Sequence, residues 1–157
     1  MNKKFFLLTF LLSVLMSTTV QAQNYGPNIS LEQAKVVLAA AEAEARKQGW
    51  PMAIAVVDTA GNLVAFSKID NTQIASVKIS QGKANSAIGF KRPTKALQDA
   101  LEKGGVNLRV LSLEGAVPAE GGIPLVSNGL FIGAIGVSGM ASDQDGVVAA
   151  AGAAAIK

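Results

Sequence analysis

Two apolar segments, each divided by a glycine-containing turn, constrain the fold of this chain more than any other feature. The first runs from residue 52 to residue 66 and is divided at 58–62, a run of turn-forming residues. The second spans 121–139 and is divided at Asn128 and Gly129, a dipeptide that favours positive φ at both centres of a hairpin turn. Because consecutive hairpins build antiparallel sheets, the two segments predict paired antiparallel strands.

Helix-start and helix-stop residues predict a helix before the first hairpin. Ser30 is a favourable N-cap, and Gln33 follows three residues later, which is the spacing of a capping box. Gly49 and Pro51 are typical of the end of a helix. The first predicted element is therefore a helix that ends just before the first apolar segment.

Three more helices and one more strand complete the predicted order. Residues 73–89 have helical periodicity that Pro93 interrupts, and Thr94 is a favourable cap for a following helix. A strand through residues 110–111 precedes the second hairpin, and a last helix begins near Ser142. The order α-β-β-α-α-β-β-β-α predicts an α+β fold, with an antiparallel sheet of about five strands flanked by helices.

Residues 1–22 have the pattern of a secretory signal peptide. Two lysines precede an apolar run over 5–16, and small residues follow it at the positions that a signal peptidase reads. The run is shorter than the about 20 apolar residues that a spanning helix needs. We therefore expect a protein exported to the periplasm or secreted, with no stable membrane span after signal removal. A tail over 23–29 and one domain over 30–157 remain.

The residue types that the chain lacks exclude several classes of site. There is no histidine and no cysteine, so Ser-His-Asp or Cys-His nucleophiles, Cys/His zinc sites and disulfides cannot form. Without the signal peptide and its two lysines, 12 basic residues face 11 acidic ones. This even balance gives no dense positive field, so no nucleic-acid partner is expected.

Three patterns that resemble catalytic or metal sites have simpler interpretations. Asp58 is expected to hydrogen-bond the backbone of its turn. Ser80 and Lys83 match the Ser-x-x-Lys motif of some hydrolases, but the partner motifs are missing, so an ordinary helix surface is expected. Asp143 and Asp145 are expected to oppose the dipole of the last helix rather than to bind a cation.

A run of glycines in the last strand has two open interpretations. Gly133, Gly136 and Gly139 are spaced neither as a dinucleotide fingerprint nor as a P-loop. Glycine within a strand marks the close approach of another backbone or of a ligand. The sequence does not choose between the two.

An ordered set of motifs extends over about residues 30–156. The motifs are Ala53-Ile-Ala-Val-Val-Asp-x-x-Gly-Asn-Leu-Val-Ala-Phe66, Lys83-Ala84, Phe90-x-Arg92-Pro93-Thr94, Gly121-Gly-Ile-Pro-Leu125 and Gly133-Ala-Ile-Gly-Val-Ser-Gly139. This set resembles the GlcG/HbpS-type family of haem-binding or haem-degrading proteins, which also occurs as the C-terminal domain of PduO-type cobalamin adenosyltransferases.

The resemblance implies a profilin-like arrangement, self-association into homo-oligomers, and haem or another tetrapyrrole bound near the central helices and the glycine-rich loop. Matched by position, the residues implied at that pocket are Lys83, Phe90, Arg92, Pro93, Thr94, Gly121, Gly122 and Pro124. Haem is a flat apolar disc with two propionates, so Phe90 could contact the disc and Arg92 could pair with a propionate. Without the resemblance, the residues alone favour Phe90 in the core and Arg92 in a solvated linker.

The iron ligand is the point at which this chain departs from most haem proteins. Iron is usually held by histidine, cysteine, methionine or tyrosine, and the first two are absent. The candidates are Tyr25, Met52, Met140 and the hydroxyl of Thr94. Weak or high-spin haem binding is therefore expected.

Two functions from different classes follow. The first is an exported haem- or tetrapyrrole-binding protein for sequestration, sensing or slow degradation, with a non-enzymatic binding role favoured over turnover. The alternative is an enzyme or binding protein for a small acidic metabolite, an organic acid anchored by Arg92 and Lys83.

Overall fold

The computed structural model describes residues 24–156, in which four antiparallel strands carry helices on both faces. The elements, in chain order, are α1 (Leu31–Gln48), β1 (Ala53–Val57), β2 (Leu63–Lys68), α2 (Ser76–Gly89), α3 (Thr94–Glu102), a 3₁₀ helix (Gly105–Ser112), β3 (Gly122–Ser127), β4 (Leu130–Ser138) and α4 (Ser142–Ala153). The strands lie in the order β2-β1-β4-β3. The α+β class and the antiparallel sheet flanked by helices are confirmed. The signal peptide predicted for residues 1–22 lies outside the described residues.

The predicted strand through residues 110–111 is wrong, because this segment forms the 3₁₀ helix. Gly104 and Gly105 both adopt positive φ, at 64° and 59°, and turn the chain into a tight local helix. Val110 is the only buried residue of the segment, whereas Leu111 beside it is 67% exposed. One isolated buried position lacks the alternation that a strand needs to cover a sheet edge.

The local signals at the helix start and at the second hairpin are confirmed. The Ser30 hydroxyl accepts a hydrogen bond from the Gln33 amide at 3.2 Å, and the Gln33 side chain accepts one from the Ser30 amide at 3.0 Å. The turn between β3 and β4 has φ of 51° at Asn128 and 77° at Gly129. Both motifs depend on neighbouring residues alone, so the sequence suffices to predict them.

Asp58 has the turn-binding role that the sequence predicts. One carboxylate oxygen accepts the backbone N–H groups of Ala60 and Asn62, each at 2.9 Å, and the other accepts the Asn62 side chain at 3.1 Å. Burial raises the pKa of the Asp58 carboxyl, but these hydrogen bonds outweigh burial and hold the pKa below its usual value. The carboxylate therefore stabilises the turn between β1 and β2.

Strand β4 separates the two faces of the core. Ile135 and Val137 belong to the main core, to which α1 and α4 also contribute, whereas Ala134 belongs to a second cluster with residues of α2. Successive side chains of a strand point to opposite faces, so α1 and α4 lie on one face and α2 lies on the other. Helix α2 therefore packs against the face of the sheet opposite to α1 and α4.

The glycines of β4 mark close approach of other backbone segments. A Cβ atom at Gly136 would clash with the Ser80 carbonyl oxygen and the Ala84 amide of α2. A Cβ at Gly133 would clash with the Val57 carbonyl oxygen, and one at Gly139 would clash with that of Pro51. Of the two interpretations that the sequence allows, the structure supports backbone contact at all three positions. Among residues 24–156, no helix has both the length and the apolar character that crossing a membrane requires.

We expect Gly136→Ala to destabilise the fold by about 1–3 kcal/mol or more, because the added methyl group must push α2 away from β4. The matched control is Gly89→Ala at the end of α2, where a Cβ would have no neighbour within 4 Å. That substitution should leave stability unchanged or slightly raised. Urea unfolding of the two variants measures the difference, and equal stabilities would contradict this account of the α2–β4 contact.

Candidate functional site

The eight predicted binding residues separate into a buried cluster and an exposed corner. The buried cluster consists of Lys83, Thr94, Gly121 and Gly122, together with Asp145, which the resemblance did not include. The corner between α2 and α3, called here the α2–α3 corner, carries half-buried Phe90 and exposed Lys91, Arg92 and Pro93. Pro124 lies outside both groups, half-buried in β3 and paired with Ala134.

A buried ion pair lies at the centre of the buried cluster. The Lys83 ammonium donates to a carboxylate oxygen of Asp145 at 2.7 Å, and the two side chains are only 2% and 3% exposed. The other Asp145 oxygen accepts the backbone N–H of Met140 at 3.1 Å. Because Lys83 lies on α2 and Asp145 on α4, the pair joins helices that pack on opposite faces of the sheet.

The two glycines before and at the start of β3 make room for this pair. Gly121 has φ of 124°, and a Cβ there would come within 3.0 Å of the Lys83 ammonium and 2.9 Å of the Asp145 Cβ. A Cβ at Gly122 would clash with the Lys83 carbonyl oxygen and lie 2.6 Å from the Thr94 methyl group. Any larger residue at either position would displace the ion pair or the helix that carries Lys83.

The Thr94 side chain also contacts the glycine segment, at Gly122. Its hydroxyl accepts the backbone N–H of Gly122 at 2.8 Å and lies 3.5 Å from the Gly122 carbonyl oxygen. The prediction that Thr94 caps α3 is wrong, since Pro93 occupies the N-cap position and no side chain caps this helix. The bond to Gly122 connects the start of α3 to the start of β3.

Burial dominates the electrostatics of Asp145. Desolvation raises the pKa of its carboxyl above the usual value, against the opposing effects of Lys83 and of the backbone N–H groups of Met140 and Gly139. The expectation that Asp145 only opposes the dipole of the last helix is therefore wrong, because its carboxylate binds Lys83. An acidic ligand could engage the Lys83 ammonium only in competition with this internal carboxylate.

Ser80 and Lys83 do not lie on a helix surface, contrary to the sequence-based expectation. Both side chains are buried, because this side of α2 packs onto β4 at Gly136. The Ser80 hydroxyl donates to the Val77 carbonyl oxygen at 3.1 Å, and the Lys83 ammonium donates to Asp145. Both groups are used in structural hydrogen bonds, and neither contact activates a nucleophile.

The α2–α3 corner is a sharp turn stabilised by backbone hydrogen bonds. Lys91 adopts a positive φ of 52°, and the Arg92 amide donates back to the Ala87 carbonyl oxygen at 3.2 Å. The Arg92 side chain folds over the turn, with its Nε 3.1 Å from the Phe90 carbonyl oxygen. The corner therefore presents an aromatic side chain and exposed cations side by side.

The N-terminal tail brings Tyr25 to this corner. The Gly26 amide donates to the Phe131 carbonyl oxygen at 2.8 Å, so the tail runs along the start of β4. The Tyr25 hydroxyl donates to the Ile88 carbonyl oxygen at 3.0 Å, and the Lys91 ammonium lies 4.1 Å from the centre of its ring. No local pattern in the sequence could predict this contact, which joins residues more than sixty positions apart.

The four candidate iron ligands have very different surroundings. The Met52 side chain is fully buried in the core, and the Thr94 hydroxyl is buried and bonded to Gly122. Tyr25 and Met140 are 45% and 42% exposed, and Tyr25 contacts the α2–α3 corner. Within residues 24–156, no group of three or more acidic side chains is placed to hold a metal ion. The roles of all four candidates in iron binding stay predictions.

Two cavities lie away from the predicted binding residues. One of about 450 Å³ lies between the end of α1 and the residues that follow β2. The other, of about 320 Å³, lies between the N-terminal tail and the turn that joins β3 to β4. Neither is lined by any of the eight residues that the resemblance implies, so the binding roles of those eight residues also stay predictions.

We expect Lys83→Met and Asp145→Leu each to lower the free energy of unfolding by about 3–5 kcal/mol, since each leaves a buried charge without its partner. The double variant should lose less than the sum of the two single variants, because the uncompensated charge is gone. Urea unfolding of the four proteins measures this coupling.

The control is the Lys95–Asp99 pair, which has the same 2.7 Å separation but side chains that are 51% and 43% exposed. Solvent screens an exposed pair, so Lys95→Met should change stability little. If Lys83→Met were as mild as Lys95→Met, the buried pair would not have the structural importance that its geometry indicates.

Comparisons with known proteins identify similar chains. A family model described as "Haem degrading protein HbpS-like" matches residues 29–154. The protein GlcG of Escherichia coli is 38% identical over 110 residues, which are 70% of this chain and 81% of GlcG.

Solved structures show the same similarity in three dimensions. A double mutant of Streptomyces reticuli HbpS has a TM-score of 0.77 and 29% identity, and the match covers 85% of this chain and 90% of that one. A PduOC:haem complex has a TM-score of 0.75 and 26% identity, with 83% and 96% covered.

Proposed function

This chain belongs to the HbpS-like family of haem-degrading proteins, and from that premise we propose that it is a haem-binding protein. The observation that carries the proposal is the likeness to PduOC, a relative of the same fold whose structure is a complex with haem. We place the haem at the α2–α3 corner, where the chemistry of the exposed side chains suits a flat, apolar dianion.

The side chains of the corner are complementary to the apolar face and to the propionates of haem. Half-buried Phe90 offers an aromatic surface for the porphyrin face. The guanidinium of Arg92 has no ion-pair partner among residues 24–156, which leaves its terminal nitrogens available for a propionate. Bound here, haem would supply a redox-active iron, while this chain would supply the apolar contact and the counter-charge.

Tyr25 is the residue that we propose as the iron ligand. The Tyr25 ring contacts the α2–α3 corner through Lys91, and its phenol oxygen lies at the last turn of α2. Tyrosine is an established haem ligand. To bind iron, the phenol must exchange its hydrogen bond to the Ile88 carbonyl oxygen for the metal.

Export and self-association belong to the same proposal. A signal peptide over residues 1–22 would deliver the protein to the periplasm or outside the cell, where it would sequester, sense or slowly degrade haem. The 3₁₀ segment exposes large apolar side chains, with Val106 74% exposed and Leu111 67% exposed. Such an apolar surface supports assembly into homo-oligomers.

The alternative function, binding of a small organic acid anchored by Arg92 and Lys83, is less well supported by the geometry. Lys83 is buried and already bound to a carboxylate of the protein itself, whereas Arg92 is exposed at the corner. The two cations therefore do not form one anion site. We retain haem binding as the function that the site supports best.

We expect Arg92→Ala and Phe90→Ala each to weaken hemin binding about fivefold to tenfold, because each removes one of the two contacts that hold the disc. Titration of the purified protein, followed by the change in the haem absorption spectrum, measures this. Arg109→Ala, which removes an exposed arginine of the 3₁₀ helix, is the control and should bind as the unsubstituted protein does. Equal binding by all three variants would remove the α2–α3 corner as the site.

We expect Tyr25→Phe to retain hemin but to lose the tyrosinate-to-iron charge-transfer band, because phenylalanine keeps the ring and lacks the oxygen ligand. Absorption and resonance Raman spectra of the ferric complex measure this. Met140→Leu, which removes the other exposed candidate ligand, should leave the spectrum unchanged. An unchanged spectrum in Tyr25→Phe would show that iron has another ligand.

A further inference from the structure

We infer that the cavity of about 450 Å³ beside Trp50 binds a small zwitterion with an apolar side chain, of which a free α-amino acid is the simplest. The cavity lies away from the α2–α3 corner and shares no residue with it. The inference is therefore independent of haem binding.

The walls of this cavity are fixed by hydrogen bonds of the backbone. Gly49 ends α1 with φ of 70°, and the Trp50 amide donates to the Ala45 carbonyl oxygen at 2.9 Å. The opposite wall is held by the Ile69 amide, which donates to the Met52 carbonyl oxygen at 2.9 Å. Because both connections are bound to the core of the fold, the cavity is formed before any ligand arrives.

Opposite charges line the cavity without neutralising each other. Arg46 and Asp70 both line it, yet they form no ion pair with each other. Among residues 24–156, the ion pair of Arg46 is with Glu42, at 4.0 Å. Asp70 has no ion-pair or hydrogen-bond partner within residues 24–156. A guanidinium and a carboxylate held apart can together bind a ligand that carries an anion at one end and a cation at the other.

The remaining walls are apolar. Trp50 and Ile69 pack against the main core with part of their surface and line the cavity with the rest. Pro51, in the connection between α1 and β1, also lines it. The volume lies within the about 300–1,000 Å³ that small-molecule sites usually have. An apolar side chain lying on the indole would add contact area to the two charged interactions.

The charges also select against simpler ligands. A ligand with only a carboxylate would be attracted by Arg46 but repelled by Asp70. A ligand with only an ammonium group would be attracted by Asp70 but repelled by Arg46. A molecule with both groups satisfies both side chains at once. This is the reason to propose a zwitterion rather than an organic acid or an amine.

The chain provides its own reporter, because Trp50 is its only tryptophan. Fluorescence titration of the haem-free protein should show a saturable change in emission with L-leucine, the probe used here. N-acetyl-leucine lacks the ammonium and leucinamide lacks the carboxylate, so each should bind about tenfold more weakly or worse. No response to leucine or to any other of the common apolar amino acids would overturn the inference, as would equal binding of the three leucine compounds.

Two variants test which residue binds which charged group of leucine. Asp70→Asn should weaken leucine binding and abolish the preference for leucine over N-acetyl-leucine, whereas Arg46→Gln should abolish the preference over leucinamide. Lys47→Gln is the control, since Lys47 lies next to Arg46 but pairs with Glu44 and does not line the cavity. Variants that keep both preferences would contradict the inference, whatever the result of the hemin titration.

Discussion

The buried ion pair between Lys83 and Asp145 is the interaction on which the candidate binding region depends. It joins α2 and α4, which pack on opposite faces of the sheet, across the glycine bend that begins β3. Removing two charges from water is costly, and the pair repays that cost only while both partners are present. The glycines at 121 and 122 keep the partners together, because any side chain there would occupy their space.

The position of the α2–α3 corner follows from this arrangement. Helix α2 lies directly on β4 at Gly136, is anchored through Lys83, and ends at the turn that presents Phe90 and Arg92. The hydroxyl of Thr94 then bonds the start of α3 to Gly122. The exposed corner is therefore attached to a rigid base, which is the condition under which a few exposed side chains can hold a ligand in one orientation.

The sequence predicts features that depend on neighbouring residues and fails where the cause is distant. The capping box at Ser30 and the turn at Asn128 are local, so both could be predicted. The partner of Lys83 lies 62 residues away, and the burial of Ser80 follows from the contact of α2 with β4. The short apolar run around Val110 is compatible with a strand or a 3₁₀ helix, and only its burial pattern in the fold distinguishes the two.

Both proposed sites lie at the C-terminal end of a helix, and this explains the cations at each. The last turn of α1 carries Arg46, and the residues just after α2 include Lys91 and Arg92. Unpaired carbonyl groups give a helix C-terminus a partial negative charge, which favours cations there. Arg92 has no ion-pair partner among residues 24–156, so its guanidinium remains available to an external anion. At the end of α1 the carboxylate of Asp70 also lines the cavity. The proposed site there would therefore select a zwitterion, whereas the proposed site at the α2–α3 corner would select a dianion.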